Sequence, residues 1–354
     1  MHPCDLSHLS EGTIVEGTRD LSVRSHKVSS STFRRPRYLL RVVIGVAAVI
    51  AGFLIARALT RYGLSQVTSA WQSIGIGRFG CAAAYAALSY LLLTGFDYLG
   101  LHYAKHPLSY PRAALASFVS LTIGHNIGMA ALSSGAVRYR FYSRWGLNAE
   151  EVAKVVAFSG ATVGLGLATL GGLALVFVPA DAAEFTGLNS GWIVLLGCLC
   201  LLVPVAYCLA ATFVKRRLNV WKWGFAFPSL RLAFGQLVLG TANFACVAAC
   251  LHQLMLGVSE LAYAKVAAVY VIANVGGLIS HVPGGLGVLE TTAHYLLQSA
   301  GSVPALIAFR LVYFLAPLIL GLGMFAASEI AARWGGSTLA ENSTQKPTEG
   351  PNRS

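Results

Sequence analysis

Residues 269–290 read VYVIANVGGLISHVPGGLGVLE. The stretch begins apolar enough for membrane depth, then sets Pro283, Gly284 and Gly285 where a spanning helix would have to continue. Proline removes an amide donor and collides with the preceding turn, and glycine accepts left-handed backbone angles, so a helix stops here. In hydrocarbon a stopped helix leaves unpaired backbone groups, tolerated only where protein or a water-filled cavity covers them. A break inside an apolar run of about 262–300 therefore predicts a polytopic membrane protein with an interior site at the break.

Working outward, a comparable stretch lies upstream. The run at about 113–133 carries Gly124, His125, Asn126 and Gly128 in its interior, and Ser134-Gly135 follows. Asn126-Ile127-Gly128 precedes Ser134-Gly135 at nearly the distance by which Asn274-Val275-Gly276 precedes Pro283-Gly284-Gly285. Each segment follows a long apolar run and a short polar loop, and each precedes another long apolar run. Residues 79–178 and 230–332 thus read as diverged copies, each with one re-entrant segment.

The rest of the chain agrees with a lipid solvent. Of its 354 residues 56% are hydrophobic and 11% charged, and mean hydropathy is +0.64, against about a quarter charged in soluble domains. A bilayer-spanning helix needs roughly 20 apolar residues. Such runs recur at about 38–59, 79–104, 113–133, 152–178, 191–214, 230–256, 262–300 and 303–332. The expected fold is an all-α polytopic membrane protein of about 6–8 transmembrane helices with two Gly/Pro-broken re-entrant segments, arranged as an inverted repeat. Residues 1–37 are expected to be a disordered basic cytoplasmic tail, 38–335 the membrane domain, and 336–354 a disordered C-terminal tail. No signal-peptide pattern opens the chain, so the first span is expected to be retained.

Loop charge sets the orientation, since short cytoplasmic loops are rich in Lys and Arg. The segment 134–149 carries Arg138, Arg140 and Arg144, and 215–229 carries Lys215, Arg216, Arg217 and Lys222; 179–190 carries Asp181 and Glu184 but no basic residue. The N-terminal tail, 134–149 and 215–229 therefore share the cytoplasmic side. That parity requires 113–133 to enter and return, and a re-entrant 262–300 brings the C-terminus to the cytoplasm as well.

The net charge of +12 is spread over loops, which points to an anionic membrane surface rather than nucleic acid. Six of the seven cysteines, all but Cys4, sit inside apolar runs, where thiols are small apolar packers. There is no phosphate-cradling loop, nucleophile elbow or metal-ligand spacing, so neither catalysis nor a cofactor nor a metal is expected.

Ionisable residues at membrane depth are costly and usually pair or face a cavity. Asp97, Arg138, Glu290 and Arg310 are the candidates on that ground, Glu290 because it follows the Pro-Gly-Gly break. Arg310 reads equally well as snorkelling to the interface. Arg138 and Arg140, with Tyr142, suit a phosphate headgroup by geometry, or serve only as positive-inside anchors. The helix breaks add Asn126, Gly128, Asn274, Pro283, Gly284 and Gly285, whose backbone amides could face an anion. His125 and His281 flank the breaks and read as structural hydrogen-bonding residues, and Gly160 and Gly164 as helix-packing positions.

The stretches Asn126-Ile-Gly-Met, Ser134-Gly135-Ala-Val-Arg138-Tyr-Arg140-Phe-Tyr142-Ser-Arg144-Trp-Gly146-Leu and His281-Val-Pro283-Gly284-Gly285-Leu-Gly287-Val-Leu-Glu290 resemble the transmembrane domain of the lysylphosphatidylglycerol synthase/flippase family, over about residues 38–335. The resemblance implies an inner-membrane lipid translocase or lipid-binding transporter for anionic or aminoacylated phospholipids, with membrane phospholipid as its partner. The family's tRNA-dependent transferase domain has no counterpart in the sequence, which implies no enzymatic activity. The alternative is a non-catalytic membrane subunit supporting a separately encoded lysylphosphatidylglycerol synthase or other lipid-modifying enzyme.

Overall fold

A computed structural model describes residues 72, 74–127, 130–214, 217–220, 223–282, 285, 287–297 and 302–344 of the chain, all within the unit Val42–Ser354. The run at 38–59 and the basic tail lie outside the described residues, as do Gly128, Pro283 and Gly284. The chain folds into helices α1 (Ile76–Tyr103), α2 (Tyr110–Ile127), α3 (Ala130–Tyr142), α4 (Ala149–Phe177), α5 (Pro179–Thr186) and α6 (Ser190–Phe213). A two-stranded hairpin follows, β1 (Arg217–Val220) and β2 (Trp223–Ala226), then α7 (Leu230–Met255), α8 (Tyr263–Ser280), α9 (Val288–Leu297), α10 (Ser302–Phe309) and α11 (Ala316–Thr344). A wide π-helical turn, Arg310–Leu315, joins α10 to α11. Among the described residues six stretches are long and apolar enough to cross a bilayer: α1, α4, α6, α7, α8 and Ser302–Ala332.

The architecture is the expected all-α polytopic one, with one addition. The antiparallel strands pair Arg217 with Ala226 through Val220 with Trp223 in the basic loop between α6 and α7. Helix α11 continues beyond the boundary drawn at 335.

Local signals explain the boundaries. Gly146, in the left-handed region at φ 95°, ends the turn after α3. Asn148 then starts α4 with a reciprocal cap: its side chain accepts from the Glu151 amide at 2.9 Å, and Glu151 accepts from the Asn148 amide at 2.8 Å. Helix α8 stops at His281, whose φ is 54°, and Gly285 and Gly287 are also left-handed, at 56° and 90°. The expected break therefore lies where the Pro-Gly-Gly reading placed it. The upstream break differs. Gly124 sits inside α2 and Gly135 inside α3, so neither interrupts a helix; α2 ends at Ile127 and α3 begins at Ala130, within the expected 124–135 segment. Glycine in a helix interior costs only about 1 kcal/mol, too little to end one without a second signal.

The two expected copies present the same order of elements: long helix, shorter helix, short helix, long helix. They are α1-α2-α3-α4 and α7-α8-α9-(α10–α11). Their packing corresponds too. The two leading helices α1 and α7 lie against each other, α2 packs on α11 of the other set, and α8 packs on α4. Glycines set the closest approach, but not the ones expected. A Cβ on Gly166 of α4 would lie 2.5 Å from backbone atoms of Gly240 in α7, so these helices touch main chain to main chain. Gly160 and Gly164 have nothing within 4 Å of that position.

Helix α6 stands at the periphery against α4 and α7. Its outer face shows Trp192, Leu195, Leu199, Leu202 and Val203 to the surroundings, a patch that suits lipid and would aggregate in water.

Candidate functional site

A cavity of about 390 Å³ lies between the two helical hairpins, α2/α3 and α8/α9, and is closed behind by α1, α4, α7 and the π-helical turn. From the first hairpin come Gly124, His125, Ser134 and Arg138; from the second, Asn274, His281 and Gly285. Two segments that the sequence singled out independently, about 150 residues apart, thus face the same space.

Behind the first wall lies a closed ionic cluster. Asp97 of α1 is fully buried and Arg138 of α3 is 2% exposed. Asp97 Oδ2 accepts from Arg138 Nε at 2.8 Å and from the Tyr142 hydroxyl at 2.7 Å. Its Oδ1 accepts from Arg138 Nη2 at 2.8 Å and from Ser159 Oγ at 3.2 Å. Arg138 Nη1 donates to Ser134 Oγ at 2.8 Å. The cluster ties α1, α3 and α4 together through a carboxylate with every lone pair used. A charge buried this deeply persists only when paired and hydrogen-bonded.

The second hairpin carries its own pair. Arg310, on the π-helical turn, donates from Nε to Glu290 Oε1 at 2.6 Å and from Nη2 to Glu290 Oε2 at 3.1 Å. The same Nη2 reaches the Gly285 carbonyl at 2.9 Å, and Glu290 Oε2 accepts from the Gly287 amide at 2.8 Å. The guanidinium also lies 4.7 Å from the centre of the Phe314 ring. This arginine is therefore held in an ion pair and does not snorkel. Glu290 and Arg310 stand one step back from the cavity and clamp the backbone of Gly285, which lines it.

Other expected site residues point elsewhere. Arg140 bonds Glu329 Oε2 of α11 at 2.7 Å, and Arg144, on the turn after α3, pairs with the same carboxylate, so the two lock α3 and its following turn to α11. Asn126 donates to the Thr122 carbonyl at 2.8 Å and to the Phe314 carbonyl at 3.4 Å, bridging α2 to the π-helical turn. Tyr142 reaches Asp97 but not the cavity. His125 and His281, read as structural, do line the cavity, and so does Gly160. His125 Nδ1 is buried with no hydrogen-bond partner among the described residues.

The sequence reading passed over Asn243, Tyr270 and Tyr313. All three line the cavity. Asn243 Oδ1 accepts from Ser89 Oγ at 2.7 Å, and Ser89 Oγ lies 3.0 Å from the Tyr313 hydroxyl. Asn274 Nδ2 donates to the Tyr270 hydroxyl at 3.0 Å. The available signal was polar side chains within otherwise apolar runs, with Tyr270 and Asn274 one helical turn apart. Among the described residues no group of His, Cys, Asp or Glu could hold a metal ion.

Comparison with known proteins bears on this arrangement. Residues 39–321 match the family model described as the lysylphosphatidylglycerol synthase TM region. The chain is similar to the uncharacterized protein slr0712 of Synechocystis, at 31% identity over 274 residues, covering 75% of this chain and 85% of that one. It is also similar to the inner membrane protein YbhN of Escherichia coli K12, at 28% identity over 259 residues, covering 71% and 80%.

Proposed function

The chain belongs to the lysylphosphatidylglycerol synthase TM-region family, a multi-pass membrane domain associated with lipid handling, and on that premise we propose that it moves a lipid between bilayer leaflets. In this reading the headgroup passes through the cavity between the hairpins while the acyl chains stay in the bilayer. The observation that carries it is the cavity itself. Both broken segments bound one space of about 390 Å³, mostly apolar with a few polar side chains set into its wall, within the usual range for small-molecule sites, in a protein whose outer faces suit lipid.

The hairpins α2/α3 and α8/α9 are taken as re-entrant from opposite sides of an inner membrane, with both termini cytoplasmic. Inverted pairs of discontinuous helices flank the substrate site in several transporter folds. Rocking one hairpin against the other would then open the cavity to each leaflet in turn. Arg310 supports such a movement, because it links the π-helical turn to Gly285 and Glu290 of the second hairpin.

Reconstitution tests the proposal. Purified protein in liposomes containing labelled lipids is expected to make an inner-leaflet label accessible to a membrane-impermeant reagent faster than protein-free liposomes do. Phosphatidylglycerol and its lysyl ester, the lipids the resemblance implies, are the reference substrates. Lipid binding in the cavity without any leaflet exchange would favour the supporting-subunit alternative.

A further inference from the structure

Resting on the reading that the cavity holds a lipid headgroup, we infer that the headgroup it takes is uncharged and rich in hydroxyls, as in a glycosyl diacylglycerol. The inference comes from what the ionic groups have already spent. Apart from the two histidines, Arg138 is the cation on the described cavity wall, and its Nε and Nη2 are both committed to Asp97. A phosphate that captured Arg138 would strand a fully buried carboxylate without its counter-charge. A lysyl ammonium meets the opposite obstacle. Asp97 is covered by Arg138, Tyr142 and Ser159, and Glu290 is held by Arg310 and the Gly287 amide, one step behind the wall. Among the described residues neither charge sign finds a free arginine or carboxylate on this wall.

What the wall does offer is neutral. Among the described residues one end of the Asn243 amide and one end of the Asn274 amide are uncommitted, and His125 Nδ1 has no partner. The Tyr270 hydroxyl stands beside the Asn274 amide, and the Tyr313 hydroxyl is joined to Asn243 through Ser89. Asn243 Nδ2 can donate and Asn274 Oδ1 can accept, and the two together match hydroxyls on a ring. Phe96, Phe244 and Phe314 also line the space, and aromatic surfaces cover the C–H face of a sugar as they cover other apolar groups. Set into an otherwise apolar lining, these amides, phenols and ring faces suit a small polyol better than an ion.

Equilibrium binding to the full chain in phosphatidylcholine nanodiscs tests this. The probes are short-chain glucosyl diacylglycerol, phosphatidylglycerol, lysylphosphatidylglycerol, and methyl glucoside without acyl chains. The glucosyl lipid is expected to bind at least about tenfold tighter than either charged lipid, with no change between low and high salt. Asn274→Leu, checked for unchanged thermal stability, is expected to weaken the glucosyl lipid about tenfold and to leave the charged probes as they were. Tighter, salt-sensitive binding of either charged lipid overturns the inference and leaves the lipid-site reading standing. Methyl glucoside binding as tightly as the lipid, or no lipid binding at all, overturns both. Should Asn274→Leu fail to fold, the ranking of the four probes on the unaltered protein decides the matter alone.

Discussion

The two hairpins carry the same kind of bond in different settings. In the first, Asp97 and Arg138 are 0% and 2% exposed and join α1 to α3. In the second, Glu290 and Arg310 are 14% and 11% exposed and join α9 to the π-helical turn. The first carboxylate accepts from three side chains on two other helices. The second accepts from one side chain and one nearby amide, and its arginine also holds a backbone carbonyl that lines the cavity. A sealed cluster fixes helices in place. A partly open clamp on a left-handed glycine can change partners. In the proposed cycle the first hairpin would stay fixed and the second would move.

Removing half of the sealed pair should have the largest effect. Arg138→Ala leaves Asp97 buried and uncompensated, with an expected loss of about 3–5 kcal/mol. Thermal unfolding in detergent should show a large fall in Tm, or protein lost from the membrane. Replacing both partners with apolar residues, Asp97→Leu with Arg138→Leu, should recover most of that loss, because no charge is then stranded. A single mutant as stable as the unaltered protein would mean the cluster is wetter than the geometry indicates.

The second pair should separate stability from activity. Glu290→Gln removes the charge from bonds worth about 1.5–3 kcal/mol, so Tm should fall less than for Arg138→Ala, while leaflet exchange in liposomes should be largely lost. Equal damage to Tm from both substitutions would erase the distinction between lock and clamp. Gly285→Ala sharpens the point further. With φ at 56° a Cβ costs about 1–2 kcal/mol, yet open space surrounds the position, so packing should survive. The expected result is a small fall in Tm with a disproportionate loss of exchange per folded molecule.

The last check is topological, and the label at 140 costs the Arg140–Glu329 pair while Arg144 still holds the same carboxylate. Cysteine labels at 140 and in the 215–229 loop should be protected from an impermeant reagent in intact cells, and one at 184 should react. Labelling at 140 from outside would make α2 a full crossing and end the re-entrant reading of the first hairpin.

How much of this could be read from the chain depended on the strength of each local signal. Pro283 beside two glycines marked the second break because proline and left-handed glycine act together on one turn. In the upstream segment Gly124 and Gly135 marked no helix end, since α2 and α3 run through them, although the two helices do part between those glycines. The charged residues were visible as anomalies in apolar runs, but their partners were not: Asp97 and Arg138 are 41 residues apart, and periodicity says nothing about which helix faces which. Arg138 and Arg140 looked equivalent in sequence. A two-residue step on a helix turns the side chain to a different face, and the two guanidiniums accordingly serve Asp97 and Glu329. Asn243 and Tyr313 were missed because a single polar residue barely dents the hydropathy of a long run.

The wide turn at Arg310–Leu315 holds one consequence for how such a machine could work. An extra residue in a helical ladder acts as slack in a spring, and slack can be passed along the coil without uncoiling it. Passing it by one residue swivels the following side chains by about 100° around the axis, which would sweep Tyr313 and Phe314 across the cavity while α10 and α11 stay whole. As a hypothesis this predicts two discrete distances between spin labels at 121 and 313 during turnover. A single unchanging distance would show the slack to be fixed.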